Sequence, residues 1–510
     1  MQTPPNSDHS VTTRPSVLVV AGSDSSGLAG IQRDNASILA MGCHPLNVIS
    51  ANTAQNQHGV HGIHAVDDAV FTKQLKINLE RNIAAIKIGL VISPSQIASL
   101  ISNIHSTAAK VVFDPVMIAS SGETLHSHRN SAEQLQAMRD LLAHCDIVTP
   151  NTAEAESLSE HSIVNEDDIP HAAQILLSLG AKCVFLKGGH GPHSPLSAKD
   201  YFTDGTHSFW LESPRRHNHN TRGTGCTLAS SIASALALGY SVADACVIGK
   251  MAINQGLDQA YALHEQAGPA FITHFPTSQK HIPLLYSNQT HAAKKGASPM
   301  FCASPPTQRP HGECAPLGLY PVVDSVEWMA RLLPIGITTI QLRVKDLLKA
   351  QLAEQIAQAV KLAKQWNCRL FVNDYWELAI EFGAYGVHLG QEDLDSADIQ
   401  AIKAAGLRLG ISTHCHYEVA RALTFRPSYI ACGPVYHTNT KKMPWVPHGP
   451  KGLAYWRETL RYPLVAIGGI HLHNIEDIIA QEPDGIAMIT AITQAEQPEQ
   501  TAVKLLQLIS

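Results

Sequence analysis

The ten cysteines of this chain include no Cys-x-x-Cys pair, and no secretory segment stands ahead of them. This favours free thiols in a reducing compartment, the cytoplasm, over a disulfide framework. The first sixteen residues, MQTPPNSDHSVTTRPS, lack an apolar core and read as a lead-in rather than a signal peptide. No apolar run reaches the ~18 residues that a membrane span requires. Basic excess is also missing: the net charge is -6 and the pI about 6.5, which gives a nucleic-acid or anionic-membrane partner little support. Histidine is plentiful at 28, yet His414/His416 and His471/His473 join no H-E-x-x-H or Cys/His zinc spacing. Small-molecule chemistry is what these absences leave.

At 510 residues the chain is too long for one ordinary core. Residues 287–316, SNQTHAAKKGASPMFCASPPTQRPHGECAP, have no apolar period of 2 or 3.6 and read as a linker. It divides a first domain, 16–286, from a second, 317–510. In the second, short apolar runs at 319–324, 338–344, 369–374, 386–390, 408–413, 429–435, 463–469 and 485–492 alternate with amphipathic stretches such as LLKAQLAEQIAQAVKLAKQW. Eight strand–helix units predict a closed (β/α)8 TIM barrel. The first domain alternates SVLVVAG, AAIKIGLV, KVVFDPVM, CDIVTPN and KCVFLKGG with helical stretches, which predicts a doubly wound α/β sheet with ligands at the carboxyl ends of its strands.

Gly223-Thr224-Gly225-Cys226-Thr227 opens a helix of small apolar residues. A Gly-rich turn at a helix N-terminus presents free N–H groups and the positive dipole end, which suits a transferring phosphoryl group. The thiolate of Cys226 is favoured at such a position, and it could accept a proton from a substrate hydroxyl.

The segments AGSDSSGLAGIQRD, AQNQHGV, DPVM, TPNTAE, KGGH and RGTGCT occur in that order. Together they resemble the hydroxymethylpyrimidine kinase/phosphomethylpyrimidine kinase family of the ribokinase-like superfamily, over roughly residues 16–285. The resemblance implies ATP-dependent phosphorylation of 4-amino-5-hydroxymethyl-2-methylpyrimidine and then of its monophosphate, giving the diphosphate. It places Gln55 on the pyrimidine with Asp34 and Gly22 near it; an amide offers an aminopyrimidine edge both a donor and an acceptor. Asn151 and Glu154 match an N-x-x-E element that organises Mg2+ around the ATP phosphates. Lys187 would be a phosphate counter-charge, Gly223 and Gly225 the anion hole, and Cys226 the catalytic base. Arg222 stands where the family often has His, and Gln57 where Thr is common. Cys226 itself argues for the pyrimidine-kinase branch, since most ribokinase relatives have Asp there.

The strand ends of the barrel are unusually polar. Gln341, Arg343 and Lys345 share one alternating face at the end of the second strand, and two cations there suit a diphosphate. Asn373-Asp374 ends the third strand and Asp393 follows the fourth; two carboxylates beside a cationic cradle are what a Mg2+ shared with substrate phosphates requires. The Gly468-Gly469 turn and the end of the eighth strand lie where barrels commonly hold a phosphate.

The ordered set QLRVKD, ND, GVHLGQED, GIST, TNTK, AIGGI and GIAMITAI resembles the thiamine phosphate synthase family over essentially all of 317–510. By that resemblance Gln341, Arg343, Lys345, Asn373, Ser412 and Lys441 hold the pyrimidine diphosphate, and Asp374 and Asp393 bind Mg2+. Thr438, Thr440, Gly469, Ile489 and Thr490 hold the thiazole phosphate, Thr490 replacing a more usual Ser. The implied reaction is dissociative: pyrophosphate departs, a pyrimidine-methyl cation forms, and the thiazole nitrogen attacks it. The expectation is thus one bifunctional enzyme of thiamine biosynthesis with Mg2+ as cofactor and ATP as co-substrate. The alternative is a pyridoxal-kinase-like domain fused to a phosphate-binding isomerase barrel or a sensing module. Oligomeric state, a homo-oligomer included, and transfer of the intermediate between domains are left open by the sequence.

Overall fold

The structure, a computed structural model, describes residues 13–56, 59–105, 107–117, 131–188, 196–263, 266–287, 316–345, 347–438 and 446–509. Most of the expected linker, Gln57, Thr440, Lys441 and the end of the KGGH segment lie outside them.

The first unit is a ten-stranded sheet. Its strands are β1 (Ser16–Asp24), β2 (His44–Asn56), β3 (Gly59–Ala65), β4 (Ile83–Ile88), β5 (Lys110–Phe113), β6 (Ile147–Val148), β7 (Val184–Lys187), β8 (Ser197–Thr203), β9 (Ser208–Pro214) and β10 (Leu284–Ser287). The order is β10-β9-β8-β7-β6-β5-β4-β1-β2-β3. From β2 to β7 the strands are parallel, built from the apolar runs expected of a doubly wound sheet. Both margins are antiparallel: β3 folds back on β2, and β8, β9 and β10 alternate. The β8–β9 turn carries a readable signal, Asp204-Gly205, whose carboxylate accepts from the N–H groups of Thr206 at 2.8 Å and His207 at 2.6 Å.

Successive side chains of a strand point to opposite faces, so β1 feeds two cores. Leu18 and Val20 join one with Ile86, Ile88 and Phe113, and Val17 and Val19 join the other with Ala85 and Val112. That second face is covered by the helix Thr224–Ala237, buried continuously from Thr227 to Leu236, and by the helix Val242–Asp258 that runs back along it. The Ala and Ser residues of LASSIASALA let these helices approach closely.

The second unit is a closed barrel of eight parallel strands: β11 (Gly318–Val323), β12 (Thr339–Leu342), β13 (Arg369–Asn373), β14 (Gly386–Leu389), β15 (Arg408–Thr413), β16 (Tyr429–Cys432), β17 (Leu464–Ile467) and β18 (Gly485–Met488). Each of the eight expected runs supplies one strand. Tyr320, Phe371 and Tyr429 fill the interior. Gly410 is obligatory there, since a Cβ at that position would lie 2.1 Å from the Tyr429 ring.

The two units are packed together. The barrel helix His416–Phe425 lies on β10 and on the helix Val242–Asp258: Thr424 Oγ1 donates to Leu285 O at 2.9 Å and accepts from Leu285 N at 3.0 Å, and Tyr417 N donates to Asp244 Oδ1 at 2.9 Å. From the next barrel helix, Gly449–Thr459, Tyr455 donates to Pro276 O at 3.1 Å, and Arg461 N beyond it donates to Gln279 Oε1 at 2.7 Å. His416 packs on Tyr240, Tyr455 and Trp456 with ring centroids 5.3, 5.4 and 4.7 Å away. One hydrophobic core runs from the sheet through this seam to the outer face of the barrel. The two units are thus docked bodies with a shared apolar seam.

Candidate active sites

In the first unit, polar side chains converge at the carboxyl ends of the parallel strands. Lys187, at the end of β7, lies 2.7 Å from Asp114 Oδ1 and 3.7 Å from Glu154 Oε2. A Cβ placed on Gly225 would lie 3.5 Å from Lys187 Nζ and 3.7 Å from Asp114 Oδ2, so the GTGCT turn faces this cluster directly. Gly223 takes φ +69°, and a Cβ there would meet Leu28 O at 2.4 Å, so only glycine fits the turn. Asn151 caps the helix Thr152–Ser159 in a reciprocal box: Glu154 N donates to Asn151 Oδ1 at 2.9 Å, and Asn151 N to Glu154 Oε2 at 2.7 Å. Burial, with Asp114 nearby, pushes the Glu154 carboxyl up to about 7.

Asp34 is wholly buried. Its carboxylate lies 2.9 Å from Lys87 Nζ and accepts from Ser230 Oγ at 2.7 Å, and Ser230 is one helical turn beyond Cys226. Gln55 stands at the end of β2, where Ser25 Oγ donates to its carbonyl at 3.0 Å, and Gly22 lies in β1.

Cys226 itself is partly exposed. The expectation that its thiolate is favoured fails: burial first, then the Asp34 carboxylate, pushes the thiol up to about 12, and Lys87 offsets only part of this. The helix N-terminus is outweighed by desolvation and two nearby carboxylates. Lys87 and Asp114 were not singled out from sequence. A lysine between Ile86 and Ile88 in an apolar strand was the available signal, since a buried ammonium requires a partner.

In the barrel, Arg343, Lys345 and Ile489 line a cavity of about 600 Å3 at the ends of β11, β12 and β18, together with Asp324 and Ser325. Asp374 stands beside it. Its pKa is pushed up to about 6, first by burial and then by Asp393, which shares a hydrogen bond with it; Arg343 and Lys345 pull the other way. Asp374 also holds φ +66°, a left-handed backbone that Asp tolerates better than most residues. Asp393 Oδ2 accepts from Gly390 N at 3.0 Å.

A buried hydrogen-bond chain crosses the barrel floor. Gln341 Nε2 donates to Tyr320 OH at 3.3 Å; Tyr320 OH and Tyr429 OH are 2.9 Å apart; Tyr429 OH is 2.7 Å from His388 Nδ1; and His388 Nε2 is 2.8 Å from Ser412 Oγ. It ties Gln341 to Ser412, two residues expected on one substrate, through three that the sequence reading passed over. A histidine between Val387 and Leu389 in a barrel strand was the signal. Thr438, Gly469 and Thr490 lie at the same end of the barrel, after β16, after β17 and after β18. Asn373 ends β13.

Burial holds the His388 and His416 imidazoles down to about 4. Unfolded histidine titrates near 6.5, so the unfolded chain takes up the proton first as pH falls. The stability tied to neutral His388 is complete above pH 6.5 and is lost as pH falls from there toward 4. By linkage the loss is about 2 kcal/mol per group at pH 5. Denaturant midpoints measured from pH 7 to pH 5 should therefore fall more steeply for the wild type than for His388→Asn; parallel curves would refute a buried neutral imidazole.

Comparison with known proteins gives two separate matches. The Phosphomethylpyrimidine kinase family model matches residues 24–271, and the Thiamine monophosphate synthase family model matches residues 319–492. A thiamine-phosphate synthase of Photorhabdus laumondii is 55% identical over 194 residues, which is 38% of this chain and 90% of that protein. Among solved structures, a phosphomethylpyrimidine kinase of Clostridium difficile is 34% identical, covering 47% of this chain and 98% of its own, with a TM-score of 0.41. A pyridoxal kinase of Staphylococcus aureus, solved with AMP-PCP and pyridoxal, is 25% identical over 54% of this chain and 98% of its own, with a TM-score of 0.48.

Proposed function

Because the chain belongs to the thiamine-phosphate synthase family through its barrel and carries a phosphomethylpyrimidine kinase domain ahead of it, we propose that it makes the pyrimidine diphosphate at one site and consumes it at the other. It is a bifunctional transferase of thiamine biosynthesis. The proposed division is a kinase domain over 16–286, a linker over 287–316 and a synthase over 317–510, in the cytoplasm; among the described residues no helix is long and apolar enough to cross a membrane.

In the kinase, Gln55 would read the aminopyrimidine, with Gly22 beside it. Asp34, spent on Lys87 and Ser230, would act by setting the floor under Cys226 rather than by touching the ring. Gly223 and Gly225 offer backbone N–H groups to the transferring phosphoryl of ATP, and Lys187 supplies a positive charge beside it. Cys226 would take the hydroxyl proton. Only its thiolate form can accept that proton, so the thiol's own proton must first pass to solvent. With the pKa pushed up to about 12 a small thiolate fraction serves near neutral pH, and a loose transfer in which the hydroxyl proton leaves late makes that sufficient. Mg2+ fits the Glu154 side of the cluster, where burial first and then the Asp114 carboxylate raise a carboxyl that Lys187 only partly offsets.

In the synthase, Arg343 and Lys345 would hold the diphosphate over the cavity, with Gln341, Asn373 and Ser412 orienting the pyrimidine and Lys441 completing the set. Thr438, Thr440, Gly469, Ile489 and Thr490 would hold the thiazole phosphate. Asp374 and Asp393 would hold Mg2+; two adjacent carboxyls that share a hydrogen bond, one of them with its pKa raised by burial and by the other's charge, are a fit for a divalent cation. When bound there, the ion supplies charge stabilisation to departing pyrophosphate. The buried Gln341–Tyr320–Tyr429–His388–Ser412 chain keeps the pyrimidine contacts fixed while the C–O bond breaks. No protein nucleophile is required, because the ring amino group delocalises the cation.

The observation that carries this reading is the pairing of the two family matches in one chain, the product of the first being the electrophile of the second. Incubation with hydroxymethylpyrimidine, thiazole phosphate, ATP and Mg2+ should yield thiamine phosphate, and omission of ATP should stop it unless pyrimidine diphosphate is added. No product under either condition would refute the assignment.

A further inference from the structure

The docked units are oriented by three separate tie points. Leu285 stands in one hydrogen-bonded row with Leu211, Asp200 and Lys187, so it is level with the kinase site. Its partner Thr424 is in the last turn of the helix His416–Phe425, which descends from the mouth of the barrel to the base, where β16 begins. The kinase-site level is therefore the level of the barrel base.

At the other end the relation is reversed. The helix Thr224–Ala237 leaves the kinase site and runs 14 residues away from it, about 21 Å at the helical rise. The following helix starts at that remote end, and Asp244 is in its first turn. Asp244 accepts from Tyr417 N, in the first turn of the barrel helix, next to the carboxyl end of β15 and hence to the mouth. The third tie agrees: Arg461, just ahead of β17 at the barrel base, donates to Gln279, next to Lys280 and His281, whose partner Asp258 ends the helix that climbs back to kinase-site level.

We propose that the two active sites open in opposite directions on one docked body, and that the pyrimidine diphosphate leaves the protein between the two reactions. The inference rests on the function proposed above. The mouth of the synthase is at the level of the base of the kinase, so a path from Cys226 to Arg343 must pass around the seam, whose packed rings and hydrogen bonds leave the intermediate no shared chamber. Fusion then provides equal amounts of two enzymes and a covered edge for β10, but no raised local concentration of intermediate.

The test uses the full chain with isotope-labelled hydroxymethylpyrimidine, ATP, Mg2+ and thiazole phosphate, with unlabelled pyrimidine diphosphate in tenfold excess over the labelled intermediate formed. Release to solvent predicts that the label in thiamine phosphate is diluted about tenfold, as for a freely mixed pool without an effective-concentration advantage. Product that keeps most of its label against that excess would overturn the proposal. A parallel reaction supplied only with pyrimidine diphosphate and thiazole phosphate reports the synthase alone. If it is silent, or if labelled hydroxymethylpyrimidine gives no diphosphate, the functional reading fails and the proposal with it.

Discussion

Asp374→Asn is expected to lower thiamine phosphate formation on the order of a thousandfold, whether the reaction starts from hydroxymethylpyrimidine or from the diphosphate. The magnitude corresponds to the several kcal/mol of charge stabilisation that a bound divalent ion gives a phosphoryl leaving group. Asparagine is the informative replacement because it tolerates the φ of +66° held at this position, so the loss cannot be assigned to a disturbed turn. The expected change in stability has the opposite sign. Burial and Asp393 raise the Asp374 pKa to about 6, so near neutral pH the folded protein without metal carries an ionised carboxylate at a cost that the unfolded chain does not bear. Removing that charge should leave the melting temperature at neutral pH unchanged or higher. Steady-state rates across a Mg2+ titration, with a thermal melt of the same sample, separate the two effects. Wild-type turnover in the asparagine variant would remove Asp374 from the metal site.

Cys226→Ala should cut product formation from hydroxymethylpyrimidine by about 10²- to 10⁴-fold, the range for loss of a positioned proton acceptor. Added pyrimidine diphosphate should restore the full rate, since the barrel does not use the thiol. Alanine keeps the helix start, and Gly223 and Gly225 still provide the anion site, so ATP should bind with little change in affinity. Because burial and Asp34 push the thiol up to about 12, the wild-type kinase step should continue to accelerate from pH 7 through pH 9 with no plateau from Cys226. An alanine variant that phosphorylates hydroxymethylpyrimidine at the wild-type rate would sink the role given to the thiol.

Much of both sites was legible because their chemistry is local. GTGCT is a turn and a helix start in five consecutive residues, and the QLRVK alternation puts three polar side chains on one face by strand geometry alone. What escaped was which groups bond to one another across long stretches of sequence. The resemblance put Asp34 near the pyrimidine, yet Lys87, 53 positions away, and Ser230, 196 positions away, occupy its carboxylate. Tyr320 and Tyr429 carry no local motif, yet across 109 positions they join Gln341 to His388. The thiol of Cys226 was read from its helix alone, yet burial raises its pKa first, and the carboxylates that add to this, Asp34 and Asp114, arrive from the helix Gly30–Ala40 and from just beyond β5.

The sequence by itself determined the inventory: two units, eight barrel strands, a phosphoryl turn, a cationic strand end and a pair of carboxylates. These follow from residue type and short periodicity, which the backbone enforces wherever the chain goes. Tertiary structure alone decided which charges neutralise each other, which proton-bearing groups are desolvated, and that the two mouths face away from one another. Those properties come from packing between segments far apart in sequence. There the seam of Tyr240, His416, Tyr455 and Trp456 selects one orientation from the many that a linker of some thirty residues would allow.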